Sequence, residues 1–379
     1  MSWDLQAELS ELNAAHLRRH LRVMSPQSAL LNFASNDYLG LSQHNEVKAA
    51  LAAGAMLYGA GSGASRLVTG TQEPHEALEQ ALAAFKHTEA ALTFGSGYAA
   101  ALGAITSLVG EGDTVILDKL SHASLIDAAR LSGAKLRVFP HNHLGRLESL
   151  LRHCTAASRR VLVVTESVFS MDGDTAPLAE IVELKERHGA WLLVDEAHAI
   201  GVLGPQGRGW AAELGVADRV DIHLGTLSKA FGLAGGYIAA KRGVIDLLIN
   251  RARSFIYTTA PPPLIAHAAI TALDILSGKE GDALRRRLHG YVRALRAALG
   301  TARDAPLTAI HPHIVGDEAK ALTLAEKLCE HGLLIPAIRY PTVPRGSARL
   351  RITLSAVHED RHVQRLIDNL AETSSERAG

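Results

Sequence analysis

The segment IHLGTLSKAF, residues 222–231, combines the end of an apolar strand, a loop and one lysine. The apolar stretch at residues 220–224 predicts a buried β-strand, and Gly225 and Thr226 break it into a loop. Lys229 therefore follows the carboxyl end of a strand, which is the edge where α/β sheets bind ligands. In isolation it would be interpreted as a surface lysine, and the motifs around it favour a ligand-binding role instead.

Strands and helices alternate on either side of this segment, from about residue 73 to residue 240. The predicted strands are continuously apolar, as in VLVV at residues 161–164 and WLLV at residues 191–194. Such strands are covered on both faces, which is typical of an α/β fold with a mostly parallel central sheet and flanking helices. The predicted strands span residues 90–94, 114–117, 135–139, 160–165, 191–194, 220–224 and 236–240, and the predicted helices between them span residues 73–85, 98–108 and 123–131.

Two further parts flank the α/β region. Leucines near helical spacing predict an amphipathic helix at residues 3–23, and a short strand follows it. After three consecutive prolines, a helical region at residues 264–299 with a break near Gly278 leads into a smaller α+β domain. The predicted organisation is an N-terminal helical segment at residues 1–40, a large domain at residues 41–279 and a small C-terminal domain at residues 280–379.

The composition limits the class of protein. The 379 residues are 47% hydrophobic, and 39 basic residues balance 39 acidic ones, so charge does not favour a nucleic-acid partner. No stretch reaches the ~18 apolar residues of a membrane span, and the N-terminus lacks a signal-peptide core. Cys154 and Cys329 lack CxxC spacing, and His141 and His143 lack a third nearby ligand. We expect a cytoplasmic protein without a metal, nucleic acid or membrane partner.

A second strand end carries a carboxylate that complements the lysine. The tetrapeptide DEAH at residues 195–198 ends an apolar run, so Asp195 is desolvated unless it is paired. A lysine with a lowered pKa can form a Schiff base with an aldehyde cofactor, and the ring nitrogen of pyridoxal phosphate needs a carboxylate. Lys229 and Asp195 together predict pyridoxal phosphate, with His198 near its phenolic oxygen. A helix-capping role for Asp195 is the alternative.

The turn FGSGY, between a predicted strand and a predicted helix, offers a phosphate site. The backbone of Gly97 and Tyr98 can approach a phosphate at the helix N-terminus, and the Thr226 hydroxyl can add a hydrogen bond. The pattern GxGxxA at residues 95–100, with Asp118 at the next strand end, also matches the fingerprint of an NAD-dependent dehydrogenase. That alternative leaves the lysine and the strand-end aspartate without a role.

Three more polar residues follow strand ends. A flat imidazole at His122 could stack on a pyridine ring, or it could simply be the neighbour of a helix cap. Glu166 and Ser170 could hydrogen-bond the cofactor, or they could shape a turn.

The C-terminal region contributes arginines. Arg339 lies among prolines at residues 336–344, where a pre-organised guanidinium suits a substrate carboxylate, and a surface position is the alternative. Arg349 and Arg351 lie on the following predicted strand. We interpret both of these as solvated or structural.

Seven motifs in order resemble the α-oxoamine synthases, a pyridoxal-phosphate family with the aspartate-aminotransferase type of fold (fold type I). The resemblance covers nearly the whole chain and implies a homodimer whose active sites lie at the interface, with residues 61–66 and 257–260 contributed by the partner chain. The motifs are SNDYLGL at 35–41, GSGASRLVTG at 61–70, SHASLIDAARLS at 121–132, TESVFSMDGDTAPL at 165–178, VDEAHAIGVLGPQGRG at 194–209, GTLSKAFG at 225–232 and AIRYPTVPRGSARLRITLSAVH at 337–358.

The resemblance implies a role for each matching residue. Lys229 would hold the cofactor, Asp195 would pair with the pyridine nitrogen, and His122 would stack on the ring. The remaining assignments are Ser170 and His198 at the ring oxygen, Gly97, Tyr98 and Thr226 at the phosphate, and Asn36, Arg339, Thr342 and Arg18 at the substrate.

The SMDGDTAPL and PTVP segments favour one activity within that family, the decarboxylative condensation of L-alanine with a pimeloyl thioester in biotin biosynthesis. Tyr340 replaces a usual proline, which bears on acyl-chain preference. Glycine C-acetyltransferase and 5-aminolevulinate synthase activities are close alternatives, and an aminotransferase or a non-catalytic cofactor-binding regulator is more remote. The thioester could be on coenzyme A or on a carrier protein. Five arginines on one predicted helix could dock an acidic acyl carrier protein or form a solvated face: Arg285, Arg286, Arg287, Arg293 and Arg296.

Overall fold

A seven-stranded sheet forms the centre of the computed structural model, which describes residues 4–25, 27–301 and 304–375. The strands in chain order are β1 (Leu31–Asn32), β2 (Ala90–Phe94), β3 (Thr114–Asp118), β4 (Lys135–Phe139), β5 (Val161–Glu166), β6 (Trp191–Asp195), β7 (Ile222–Thr226), β8 (Gly236–Ala240), β9 (Ile310–Gly316), β10 (Leu333–Leu334), β11 (Ala337–Ile338) and β12 (Ala348–Thr353). The large sheet has the order β2-β8-β7-β6-β5-β3-β4. Within this seven-stranded sheet, every pairing of the described strands is parallel except the two made by β8.

Helices cover both faces of this sheet. In chain order, the helices of the described residues, including those of the N- and C-terminal regions, are α1 (Leu5–Ala14), α2 (Asn45–Tyr58), α3 (Glu73–Lys86), α4 (Gly97–Leu108), α5 (Ala123–Leu131), α6 (Leu144–Ala157), α7 (Leu178–Arg187), α8 (Trp210–Glu213), α9 (Arg242–Arg251), α10 (Arg253–Ile256), α11 (Pro263–Ser277), α12 (Lys279–Leu299), α13 (Glu318–Glu330) and α14 (Asp360–Ser375). Within the described residues, no helix combines the length and apolarity that crossing a bilayer requires.

The continuously apolar strands are buried on both faces, as their sequences predict. Along β3, Val115 and Leu117 pack with α4 and α5 on one face, whereas Ile116 packs with α6 and α7 on the other. Each fully buried side chain of this kind stabilises the fold by about 1.5–3 kcal/mol. The predicted fold class, a mostly parallel sheet between helices, is therefore confirmed.

The C-terminal region forms a separate antiparallel sheet in the order β11-β12-β9. The break predicted near Gly278 separates α11 from α12. The short strand β1 pairs with β10, which ties the N-terminal segment to the C-terminal region. The division at residues 1–40, 41–279 and 280–379 remains our proposal: the large sheet lies within residues 90–240 and the three-stranded sheet within residues 310–353.

The N-terminal helix is shorter than the prediction for residues 3–23. It ends at Ala14, and His16 adopts a left-handed φ of 54°. The carbonyl of Leu12 then accepts hydrogen bonds from the N–H groups of Leu17 and Arg18, which closes the helix end. None of the side chains of α1 is buried, so tertiary packing does not extend the helix beyond its first turns.

Candidate active site

Four strands of the large sheet end at one edge, and each brings a polar residue to it. β5 ends at Glu166, β6 at Asp195 and β7 at Thr226, and His122 follows β3. The parallel register places Glu166 beside Asp195. Carboxyl strand ends are where open α/β sheets bind ligands. The structure therefore brings together these four residues, which the sequence predicted separately.

Lys229 reaches this edge from the loop after β7. Its Nζ lies 2.7 Å from Nε2 of His198, and Nδ1 of His198 lies 2.5 Å from the hydroxyl of Tyr38. Gly232, with a φ of 69°, shapes the loop. A Cβ at Gly232 would lie 2.1 Å from the backbone nitrogen of Ser42, so glycine is needed for the lysine loop to pack against the SNDYLGL segment.

Burial controls the protonation of the central groups. It lowers the pKa of Lys229 to about 8, although the carboxylates of Asp195 and Glu166 oppose that shift. It raises the pKa of Asp195 against the attraction of Lys229, and it holds the pKa of His198 well below its usual range. Burial and the charge of Asp195 also hold the pKa of Glu166 well above its usual range. The site thus combines an amine that is partly neutral near pH 8 with two buried carboxyl groups and a neutral imidazole.

His122 is fixed beside the carboxyl pair by short hydrogen bonds. Its backbone N–H donates to Glu166 at 2.6 Å, and its Nδ1 lies 2.8 Å from the hydroxyl of Ser124. Partial burial lowers the pKa of His122, and the charges of Asp195 and Lys229 act on that pKa in opposite directions. The ring therefore lies within the electrostatic field of the site.

The first turn of α4 provides the predicted anion site. The hydroxyl of Ser96 caps the helix by accepting a hydrogen bond of 3.1 Å from the N–H of Ala99. This cap leaves the N–H groups of Gly97 and Tyr98 for a ligand. Gly97 packs closely against β8, because a Cβ on Gly236 would lie 2.6 Å from its Cα. The buried hydroxyl of Thr226 also lies near Gly97, 3.7 Å from where a Cβ of that glycine would be.

The residues predicted to face the substrate lie in two places. Asn36 is central, and its Oδ1 accepts two hydrogen bonds of 3.1 Å from a buried arginine. Arg339 instead donates to a backbone carbonyl of the N-terminal segment. Thr342 accepts a hydrogen bond from Arg19 at 3.0 Å. Arg18, which was also predicted to face the substrate, is the residue before Arg19 and is half-buried.

Arg351 is a site residue that its sequence pattern did not predict. Of the two interpretations of Arg349 and Arg351, solvated or structural, the solvated one is wrong, because each residue is only 5% exposed. Arg349 has a structural role in an ion pair with Asp172. Arg351 donates to the carbonyl of Ser170 at 2.6 Å and to Asn36, so it belongs to the site. The available signal was weak: an arginine inside an apolar strand is stabilised only when it finds internal partners.

Two alternative ligand sites are occupied by internal contacts. Asp118, which the dinucleotide fingerprint requires, is fully buried and accepts N–H groups from Leu120 at 2.8 Å and Asn142 at 2.9 Å. Burial lowers the pKa of His141, but hydrogen bonds to Asp118 and Asp174 outweigh that effect and raise the value to about 10. Among the described residues, no cluster of three or more His, Cys, Asp or Glu is arranged to hold a metal. These contacts disfavour the dehydrogenase alternative.

Comparison with known proteins gives the family. The profile of the family "Aminotransferase class I and II" matches residues 28–370. The 8-amino-7-oxononanoate synthase of Geobacter sulfurreducens is 46% identical over 388 residues and covers 99% of each chain. The chain belongs to the 8-amino-7-oxononanoate synthase group of the class I and II aminotransferase family.

Two solved structures extend this similarity to the whole fold. Serine palmitoyltransferase from Sphingomonas wittichii has a TM-score of 0.90 and 35% identity, covering 99% of this chain and 96% of its own. Serine palmitoyltransferase from S. paucimobilis, solved with a bound PLP–myriocin aldimine, has a TM-score of 0.90 and 31% identity and covers 96% and 95%. The predicted fold type I is therefore confirmed over nearly the full length of the chain.

Proposed function

We propose that this protein condenses L-alanine with a pimeloyl thioester to give 8-amino-7-oxononanoate, carbon dioxide and the free thiol, in the cytoplasm. The observation that carries the proposal is Lys229, whose pKa is lowered to about 8 by burial and whose Nζ lies 2.7 Å from a neutral His198. Relatives from Geobacter sulfurreducens and Anaeromyxobacter dehalogenans, at 46% and 48% identity, are named for this synthase.

The residues at the site fit pyridoxal phosphate in three respects. Lys229 offers an amine to its aldehyde, the buried Asp195 offers a carboxylate to its ring nitrogen, and the start of α4 offers N–H groups to its phosphate. When bound, the cofactor supplies an electron sink at the substrate Cα. We assign the other contacts as His122 along the ring, Ser170 and His198 at the ring oxygen, Gly97, Tyr98 and Thr226 at the phosphate, and Glu166 holding the His122 backbone.

The proton transfers are assigned to residues whose pKa values the site shifts. We assign to Lys229 Nζ the removal of the Cα proton of L-alanine and the return of a proton to the product, because an amine with a pKa of about 8 can do both near neutral pH. Asp195 keeps the ring nitrogen protonated, since a buried carboxylate is stabilised by a cationic partner. His198, held neutral by its low pKa, donates or accepts a hydrogen bond without adding charge.

We assign the carboxylate of L-alanine to Arg351. Its Nε donates to the carbonyl of Ser170. One terminal nitrogen donates to Asn36 and to the hydroxyl of Thr353, and the other terminal nitrogen also donates to Asn36. A guanidinium has five N–H donors, so one remains for a substrate oxygen, and a buried guanidinium attracts a carboxylate strongly. Arg339 and Thr342 remain assigned to the substrate, and Arg18 to the acyl substrate.

Carbon dioxide release from carboxyl-labelled L-alanine tests the reaction. The purified protein is expected to show the visible absorption of bound cofactor, and to release label together with free thiol when pimeloyl-CoA or a pimeloyl carrier protein is added. Glycine, which lacks one methyl group, should react at least about 10-fold more slowly. Preference for glycine with acetyl-CoA or succinyl-CoA would identify a sister activity, and consumption of 2-oxoglutarate without label release would identify an aminotransferase.

Of the five arginines predicted to form a carrier-docking face, two make internal contacts. Arg285 is buried and pairs with Asp282. Arg296 donates to the carbonyls of residues 305 and 306 at 2.6 and 2.7 Å. The structure leaves three members of the group exposed: Arg286, Arg287 and Arg293. The proposal therefore includes both thioester forms, coenzyme A and carrier protein, and the assay compares them directly.

We also propose a homodimer. Leu67, Val68 and Tyr257 are large apolar residues that are exposed on adjacent segments, because Ser65 and Thr259 join these segments by a β-bridge. Exposed apolar patches mark interfaces. Sedimentation velocity should give twice the chain mass at micromolar concentration, and Val68→Glu should shift the protein toward monomer. Ile314→Glu, at an exposed position of β9, is the matched control, and a wild-type monomer would contradict the assignment.

A further inference from the structure

Tyr38, His198 and Lys229 form a chain of polar contacts, in which the tyrosine and the histidine are buried. Tyr38 is completely buried, and its hydroxyl lies 2.5 Å from Nδ1 of His198. The opposite nitrogen of the ring, Nε2, lies 2.7 Å from Nζ of Lys229. The tyrosine belongs to the SNDYLGL segment, and 160 residues separate it from the histidine. Its hydroxyl therefore acts on the lysine through the imidazole.

The distances show which atom receives the hydroxyl proton. The second possible acceptor, Oδ1 of Asn36, lies 3.3 Å away, beyond the range of about 2.5–3.0 Å for O–H···O bonds. That oxygen already accepts two hydrogen bonds from Arg351. The hydroxyl of Tyr38 thus donates to Nδ1 of His198. A neutral imidazole with an accepting Nδ1 carries its proton on Nε2.

We propose that Tyr38 is a positioning residue that locks His198 in the tautomer with its proton on Nε2. This inference deepens the proposed function, on which its purpose rests. The Nε2–H donor then points at Lys229 Nζ, and it can serve an oxygen of a ring bound beside that lysine. Because an ammonium group has no lone pair to accept a hydrogen bond, this tautomer favours the neutral amine of Lys229.

The charges around Lys229 act on its pKa in opposite directions, so an uncharged hydrogen bond can shift the balance between its ammonium and amine forms. Asp195 and Glu166 favour the ammonium form, whereas burial and Arg351 favour the amine. His122 also lies within the field of Lys229. The hydroxyl of Tyr38 shifts the same balance toward the amine without adding a charge, because it acts through the hydrogen bond to His198 alone.

The tautomer of the unmodified protein is the first test, because it needs no variant. In full-length protein labelled with ¹⁵N-histidine, with and without added pyridoxal phosphate, the pair of nitrogen shifts identifies the protonated ring atom. The His198 signals are assigned by their disappearance in His198→Asn. We expect the proton on Nε2. A proton on Nδ1 in the cofactor-free protein would overturn the proposal.

Removal of the hydroxyl is the second test. In Tyr38→Phe, His198 should lose its single tautomer, and the pKa of Lys229 should rise by about one unit, which slows competitive acetylation of that lysine at pH 7 by ~10-fold. Tyr291→Phe is the matched control, since it deletes another buried hydroxyl, the one that donates to the carbonyl of His358 at 2.7 Å. If both variants behave like the wild type in both measurements, the proposal fails.

These measurements separate the inference from the proposed function. Both are made without alanine or thioester, so a protein that condensed other substrates would still show them. Absence of label release in the assay with unchanged tautomer results would overturn the function and leave the role of Tyr38 intact. The reverse result, normal condensation with a His198 proton on Nδ1, would overturn the role of Tyr38 alone.

Discussion

Replacement of the site lysine, Lys229→Ala, is expected to leave the fold intact and to lower turnover by at least about 10³-fold. The amine is the group that we assign both to holding the cofactor and to moving the Cα proton, so a methyl group can do neither. The side chain lies in a loop after β7, and its burial is unfavourable for a charge, so its loss costs little stability. Label release from L-alanine, visible absorption and circular dichroism measure the three expected outcomes.

Lys241→Ala is the control for this variant. Lys241 is also a lysine close to the large sheet, but it is exposed and precedes α9. It should retain both colour and turnover. Near-normal condensation by the Lys229 variant, with folding preserved, would show that another group takes the proton and would end the proposed scheme.

The large sheet was predictable because residues close in sequence mark where each of its strands begins and ends. β2, β4 and β8 begin and end at the predicted residues, since apolar or β-branched runs there meet turn residues such as Gly95 and Pro140. The N-terminal helix was not predictable in length, because its leucines are largely exposed and packing did not extend it. Spacing of apolar residues predicts a helix only where a core receives them.

The sequence predicts those site residues that directly follow parallel strands. It does not predict those that reach the site through contacts between residues far apart in sequence. Lys229, Asp195, Glu166 and His122 follow parallel strands, so topology alone collects them at one edge. Arg351 reaches the site from the other sheet, through contacts to a residue 315 positions away in sequence. Such a contact leaves no periodic pattern in the chain. Burial of the arginine in an apolar strand is visible only once both sheets are packed together.

The isosteric replacement Asp195→Asn is expected to reduce turnover by about 10²–10³-fold. An amide cannot hold a proton on the ring nitrogen, so the electron sink is weakened. The same change should lower the pKa of Lys229 below about 8, because the Asp195 carboxylate favours the ammonium form. The lysine is then neutral more often at pH 7, and its competitive acetylation becomes faster while catalysis becomes slower. In the wild-type protein, the N–H of Ala197 donates to Oδ1 of Asp195 at 2.9 Å. The amide oxygen of asparagine can accept the same hydrogen bond, so the strand end should keep its shape.

Asp113→Asn separates this electrostatic effect from loss of stability. Asp113 is also a buried acid beside a strand, but it precedes β3 at the opposite edge, where it accepts a hydrogen bond from Gly110 at 2.9 Å and pairs with Arg159. That variant should lose stability, with the pKa of Lys229 and the visible spectrum unchanged. If Asp195→Asn instead raised the pKa of Lys229 or kept normal turnover, the carboxylate would not face the ring nitrogen. A catalytic loss combined with a more reactive lysine is the result that we expect if Asp195 acts both on Lys229 and on the ring nitrogen.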